Sequence, residues 1–165
     1  MHIIYQCYGS AHSSIIAAAI HLNRLPSNRA PTMEEILSLP DFDQARDDAM
    51  GILFYKGDDE RGNSVYTIGL GRNWREGQRV IRSLWQLLGR NEEECRLVHA
   101  LDRITLLTKV GGALSRRYGI PSLGRPLAAW GIRRSYPRLL TLVEQVKNDS
   151  SGKSGRQAGD DGFVL

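Results

Sequence analysis

"IIYQCYGSAHSSIIAAAIHL", residues 3–22, decides the fold of this chain. An apolar, partly β-branched run ends at Cys7, and a loop of small residues follows, Tyr8-Gly9-Ser10-Ala11-His12. Ser13-Ser14 then opens a run of helix formers through Leu22, and Pro26 blocks any extension. Strand, short loop and helix in that order make the first unit of an α/β sheet. In such sheets ligands collect beyond the carboxyl ends of the strands. Three readings of the turn stay open: a reactive thiol in an anion cradle, a cradle whose thiol is idle, and a plain strand-to-helix joint.

The rest of the chain extends that unit. Gly51–Lys56 and Ser64–Leu70 are strand-like, and the polar stretch 57–63 between them has hairpin composition. Thr32-Met33-Glu34-Glu35 has the form of a capping box, opening a short helix to about Leu39. Val80, Ile81, Leu84, Trp85 and Leu88 recur at helical spacing, so Trp74–Leu88 reads as a helix closed by Gly89. Arg96–Leu101 reads as a strand, Thr105–Tyr118 as a helix, and Pro126–Ile132 as a last short strand. A helix capped by Ser135, with Pro137 in its first turn, runs to about Lys147. The expected fold is a three-layer α/β sandwich with a mainly parallel sheet and one β-hairpin. Residues 1–147 form a single domain and 148–165 a flexible Gly/Ser/Asp/Lys-rich tail.

Bulk properties narrow the class. The 165 residues suit one domain, and the 41% hydrophobic and 24% charged content is that of a globular protein. The longest apolar run, Ile15–Ile20, is far short of a bilayer span, and no secretory signal opens the chain. Two cysteines make neither a disulfide framework nor a paired metal-ligand spacing, so a reducing cytoplasm is expected and no metal or cofactor is assigned. The formal charge of +4 is mostly arginine, whose planar fork suits phosphate and carboxylate. An anionic small molecule or phosphorylated group is the expected partner. Nucleic acid is a weaker one, because the charge is spread rather than striped, and no membrane is expected.

The opening turn has the parts of an anion site. Gly9, Ser10, Ala11, Ser13 and Ser14 let an anion approach successive backbone N–H groups, and the helix N-terminus adds positive potential. A thiol at that strand end, Cys7, is placed to act as a nucleophile. His12 can contact an anion, move a proton or hold the thiolate. Asp102, after the strand at 96–101, can serve as a general acid or orienting carboxylate, or simply cap the next helix. Arg72, in the Gly69-Leu70-Gly71-Arg72-Asn73 turn, and Arg133, after the expected last strand, are candidate anion contacts. The Arg116-Arg117 pair and Arg125 offer others. Gly152-Lys153-Ser154 lacks the strand and helix of a true phosphate loop and is set aside.

These residues carry resemblances. Cys7 through Ser14 resembles the Cys-x5-Arg-Ser loop of the low-molecular-weight tyrosine phosphatases and related arsenate reductases. Cys7 falls on the nucleophile, Gly9 on the loop glycine and Ser14 on the serine. Ser13 stands where the phosphate-binding arginine belongs, and Pro40-Asp41 reverses the family's late Asp-Pro acid. The same loop is similar to the phosphocysteine B subunits of the sugar phosphotransferase system, where a hydroxyl residue replaces arginine. Over more of the chain, "IIYQCYGSAHSS", "GNSVYTIGLG", "GGALSRR" and "GRPLAAWGI" are similar to an uncharacterised bacterial family, DUF3189. These resemblances imply anion binding with possible thiol-based phosphoryl transfer. The alternative is a non-catalytic regulatory or interaction protein on a phosphatase-like scaffold.

Overall fold

A computed structural model describes residues 1–44, 49–104 and 121–154. The strands are β1 (His2–Cys7), β2 (Phe54–Asp58), β3 (Ser64–Gly69) and β4 (Cys95–His99). The helices are α1 (Ser13–His21), α2 (Met33–Leu37), α3 (Trp74–Leu87) and α4 (Pro121–Ser154). The sheet order is β2-β3-β1-β4: β1 runs parallel to both neighbours, and β2 pairs antiparallel with β3 as the expected hairpin. Among the described residues, no helix is long and apolar enough to cross a membrane.

Alternation along β1 fixes the layers. Ile3, Tyr5 and Cys7 point to one face, in register with Val65, Thr67 and Gly69 of β3. That face is covered by α1, whose residues are all buried, with α4 and α2 packed alongside. The opposite face, bearing His2, Ile4 and Gln6, receives α3: Trp74 stacks on His99 at 4.0 Å and Trp85 meets His2 edge-on at 5.3 Å. The result is three layers, helix–sheet–helix.

Two local expectations change. The segment read as a strand at Pro126–Ile132, and the helix start at Ser135, are both interior to α4. Ala128, Ala129, Ile132, Tyr136, Leu139 and Val143 recur at helical spacing and are buried, whereas Pro126 and Pro137 lie on the exposed side. A proline inside a helix costs roughly 3 kcal/mol, and the continuous buried stripe outweighs two such costs. Ser135 makes no cap; its hydroxyl donates back to the Gly131 carbonyl at 2.9 Å. The helix also continues to Ser154, into the segment that composition assigned to a tail. The second change is at α1, where His12 rather than a serine is the N-cap and makes no side-chain capping bond. The capping box at α2 is formed as expected by Thr32 and Glu35. The helix expected over 105–118, with Gly111-Gly112 and Arg116-Arg117, lies outside the described residues.

A buried polar chain ties the first helix to the hairpin. The Tyr5 hydroxyl donates to His21 Nδ1 at 2.7 Å, and His21 Nε2 donates to Asp59 Oδ2 at 2.9 Å. Asp59 also accepts from the Arg61 and Asn63 backbone N–H groups and from Asn63 Nδ2. Burial pushes the Tyr5 phenol up, so it stays a donor, and burial holds His21 below its ordinary value. Burial also opposes ionisation of Asp59, but hydrogen bonds from Asn63 and His21 prevail and hold its carboxyl at about 2. Both groups bind protons more weakly folded than unfolded, so both lose stability on acidification. The His21 contribution is complete above about pH 6.5 and declines below it; the Asp59 contribution is complete above about pH 4 and is lost towards pH 2. Urea denaturation from pH 8 to pH 3 is therefore expected to show falling stability on acidification, with the step below pH 6.5 absent in His21→Gln. A wild-type profile flat between pH 7 and pH 5 would contradict this account.

Candidate functional site

The crevice between the carboxyl ends of β1 and β3 is a switch point. The loop after β1 turns to α1 on one face, and the loop after β3 turns to α3 on the other. The two loops are knit together there. Leu70 N–H donates to the Cys7 carbonyl at 3.1 Å and Gly71 N–H to the Tyr8 carbonyl at 2.9 Å. A Cβ on Gly69 would fall 2.9 Å from the Gly9 carbonyl carbon and 3.1 Å from Ser10 N, so the Gly9–Ser10 backbone can cross only over a glycine. Ser10 is held at φ 52°, and its hydroxyl donates to Thr67 Oγ1 at 3.0 Å. The expected glycine-bearing turn at 69–73 is thus the abutment of the loop.

Within the loop the side chains divide by role. Cys7, 4% exposed, has its sulfur 3.0 Å from Ser14 Oγ. Ser13 is fully buried, and its hydroxyl has no hydrogen-bond partner among the described residues. With no side-chain cap on α1, this places an unpaired hydroxyl beside first-turn N–H groups that no capping side chain meets. His12 Nε2 lies 2.9 Å from Asp43 Oδ1, a carboxylate only 1% exposed, and its imidazole and the Phe42 ring meet in a T-shaped contact at 5.3 Å. Asp43 is itself at φ 61°, with its N–H donating to the Ala11 carbonyl at 2.9 Å. A non-glycine residue in that region is strained, and here the strained residue orients the one imidazole of the loop.

Cys7, Gly9, Ser10, Ala11, His12, Ser13 and Ser14 therefore form one contiguous turn. Arg72 is exposed on the neighbouring turn, one residue past Gly71, and makes no ion pair among the described residues. Arg133 is not at a strand end; it lies in the middle of α4 on an exposed position. Asp102 sits in the turn Leu101–Arg103, 74% exposed, with its carboxylate 3.4 Å from His99 Nε2. His99 Nδ1 accepts from the Gln6 side chain at 2.9 Å, on the opposite sheet face to Cys7. Asp102 is thus partnered with His99, and the carboxylate that bonds the loop's imidazole is that of Asp43. Nothing in the sequence marks Asp43, since its role depends on a positive φ and a contact across 31 residues. Arg125 donates to the Leu37 carbonyl at 3.5 Å, and its Nε is buried without a partner among the described residues. Among the described residues, no cluster of three or more His, Cys, Asp or Glu could hold a metal.

Gly69→Ala is expected to destabilise the fold by about 1–3 kcal/mol, because the intruding methyl meets backbone rather than a yielding side chain. Equilibrium denaturation checks this, and an unchanged midpoint would show that the crossing has slack.

No curated protein and no solved structure matches the chain. Residues 2–148 match the family model described as protein of unknown function, DUF3189, and the chain belongs to that family.

Proposed function

We propose that the protein binds a phosphorylated or other small anionic ligand at the Cys7–Ser14 turn. The observation that carries this reading is the Ser13 hydroxyl, fully buried and without a partner among the described residues, at a helix N-terminus that no side chain caps. Leaving such a donor unmet costs roughly 1–3 kcal/mol, and a ligand oxygen accepting from it and the adjacent N–H groups removes that cost. The small residues and the switch-point crevice support the same reading.

Thiol chemistry is the narrower form of the proposal. Cys7 sulfur attacks phosphorus, the bond from phosphorus to the leaving oxygen breaks, and His12, oriented by Asp43, supplies that oxygen with a proton. Ser14 Oγ, 3.0 Å from the sulfur, donates to the thiolate. The phosphoryl group then passes from sulfur to water or to an acceptor hydroxyl, which returns the proton to His12. Arg72 is the cation nearest in sequence to the loop's abutment that can balance the charge. A non-catalytic regulatory or interaction role is favoured by one observation, that Ser13 occupies the place of the arginine in the loops it resembles.

Thermal shift with millimolar phosphate, sulfate and arsenate tests binding. A rise in Tm is expected, with Ser13→Ala weakening apparent affinity about tenfold at one lost hydrogen bond. No shift with any of the three would leave the turn a bare structural joint. Alkylation by iodoacetamide tests the location: phosphate is expected to slow modification of Cys7 and leave Cys95 unaffected. Equal rates at Cys7 with and without phosphate would place the anion elsewhere. Turnover of an aryl phosphate that Cys7→Ser abolishes supports transfer, whereas binding without turnover supports the regulatory role.

A further inference from the structure

The two faces of the sheet are covered unequally. On the second face α3 rests over β4 and β1, through the Trp74–His99 and Trp85–His2 ring contacts. Towards β3 and β2 the same row of rings continues, with no helix above it among the described residues: His2 to Tyr66 at 5.8 Å, then Tyr66 to Tyr55 at 5.5 Å, with Tyr55 56% exposed. The inward residues of α3, Trp74, Ile81 and Trp85, recur at helical spacing. A second apolar stripe, Val80, Leu84, Leu87 and Leu88, repeats at i, i+4, i+7, i+8 about a quarter turn away. A right-handed helix running antiparallel to β1 and β3 turns that stripe towards β3, so it walls the same groove that Tyr66 and Tyr55 floor. These four residues are 58, 53, 81 and 72% exposed, and no residue of α3 is buried.

We propose that this groove is a homodimer interface, filled by α3 of a second copy lying antiparallel along the stripe. The stripe and Tyr55 together present on the order of 600 Å² of surface, at the upper end of what a monomer ordinarily leaves bare and of the same order as the ~800 Å² each partner contributes to a stable dimer. Charge also fits a second copy. Glu76 precedes the stripe and Arg90 follows it, 62% and 64% exposed, each only loosely paired within the chain at 3.6 and 4.0 Å. A two-fold axis across the stripe sets each Glu76 near the copy's Arg90, so unlike charges close both ends. An anionic bilayer fits less well, because Glu76 and Asp58, the latter bonded to the Tyr55 hydroxyl, border the groove.

Sedimentation equilibrium of the full chain tests the proposal separately from the anion site. The expected mass is twice 18.5 kDa at micromolar concentration. Leu84→Glu and Leu87→Glu, at exposed positions, are expected to raise the dimer Kd by roughly 30-fold or more while far-UV circular dichroism stays unchanged. Glu76→Arg is expected to weaken the dimer, and adding Arg90→Glu to restore it, which a merely sticky patch would not do. A wild-type chain that stays monomeric to about 100 μM overturns the proposal, whether or not it binds anionic vesicles or another protein. So does a dimer that Leu84→Glu and Leu87→Glu leave intact.

Discussion

The Gly9–Ser10 backbone lies against Gly69 with no room for a side chain between them. That contact sets how far the first loop can lean over β3, and it thereby fixes where α1 begins. The bonds from Leu70 and Gly71 N–H to the Cys7 and Tyr8 carbonyls hold the same seam. With the loop drawn across β3, Ser10 is forced to positive φ, Ser14 reaches the Cys7 sulfur and Ser13 is left buried without a partner among the described residues. A local steric limit is in this way converted into the chemistry of the turn.

A second constraint works at the opposite end of the sheet. Tyr5, His21 and Asp59 bring a strand, a helix and a hairpin loop into one buried hydrogen-bonded chain, with each donor given one acceptor. The acidic loop after β2 is committed to fixing the hairpin, since Asp59 is consumed by His21, Asn63 and Arg61. The bonds from Arg96 to Asp149 and from Arg61 to the Lys147 carbonyl attach the end of α4 to the same region. Both charged groups are drawn from loops or edges, where a long side chain can reach without desolvating its whole length.

Most of the fold was legible because hydrophobic spacing is local. The run from Ile3 to Cys7, the small-residue loop, the helix formers after Ser14 and the hairpin between two strand-like runs each state their element within a few residues. The misread segment is α4, where Pro126 and Pro137 signal breaks that a long packed stripe overrides. The N-cap of α1 was misplaced because Ser13 and Ser14 look like caps in isolation, yet the tilt of the loop carries both into the first turn. The candidate residues inside the turn were visible as a string because they are contiguous in sequence. Asp43 and the pairing of Asp102 with His99 were not, because each depends on contacts that only the folded chain creates.

The position of β1 has a consequence for how the chain is made. It is made before the other described strands of the sheet and is an interior one, paired on both sides in parallel with strands that emerge only at residues 64–69 and 95–99. An apolar segment therefore leaves the ribosome well before any backbone partner exists, and its second edge stays open until β4 arrives. Parallel pairing cannot begin with a tight turn, so closure of the sheet waits on two long crossovers rather than on neighbouring sequence. Nascent chains stalled before residue 95 would display β1, buried at five of its six positions in the folded chain, with one edge unpaired. Translation speed through the second half of the molecule thus governs how long that edge is open to the wrong partner.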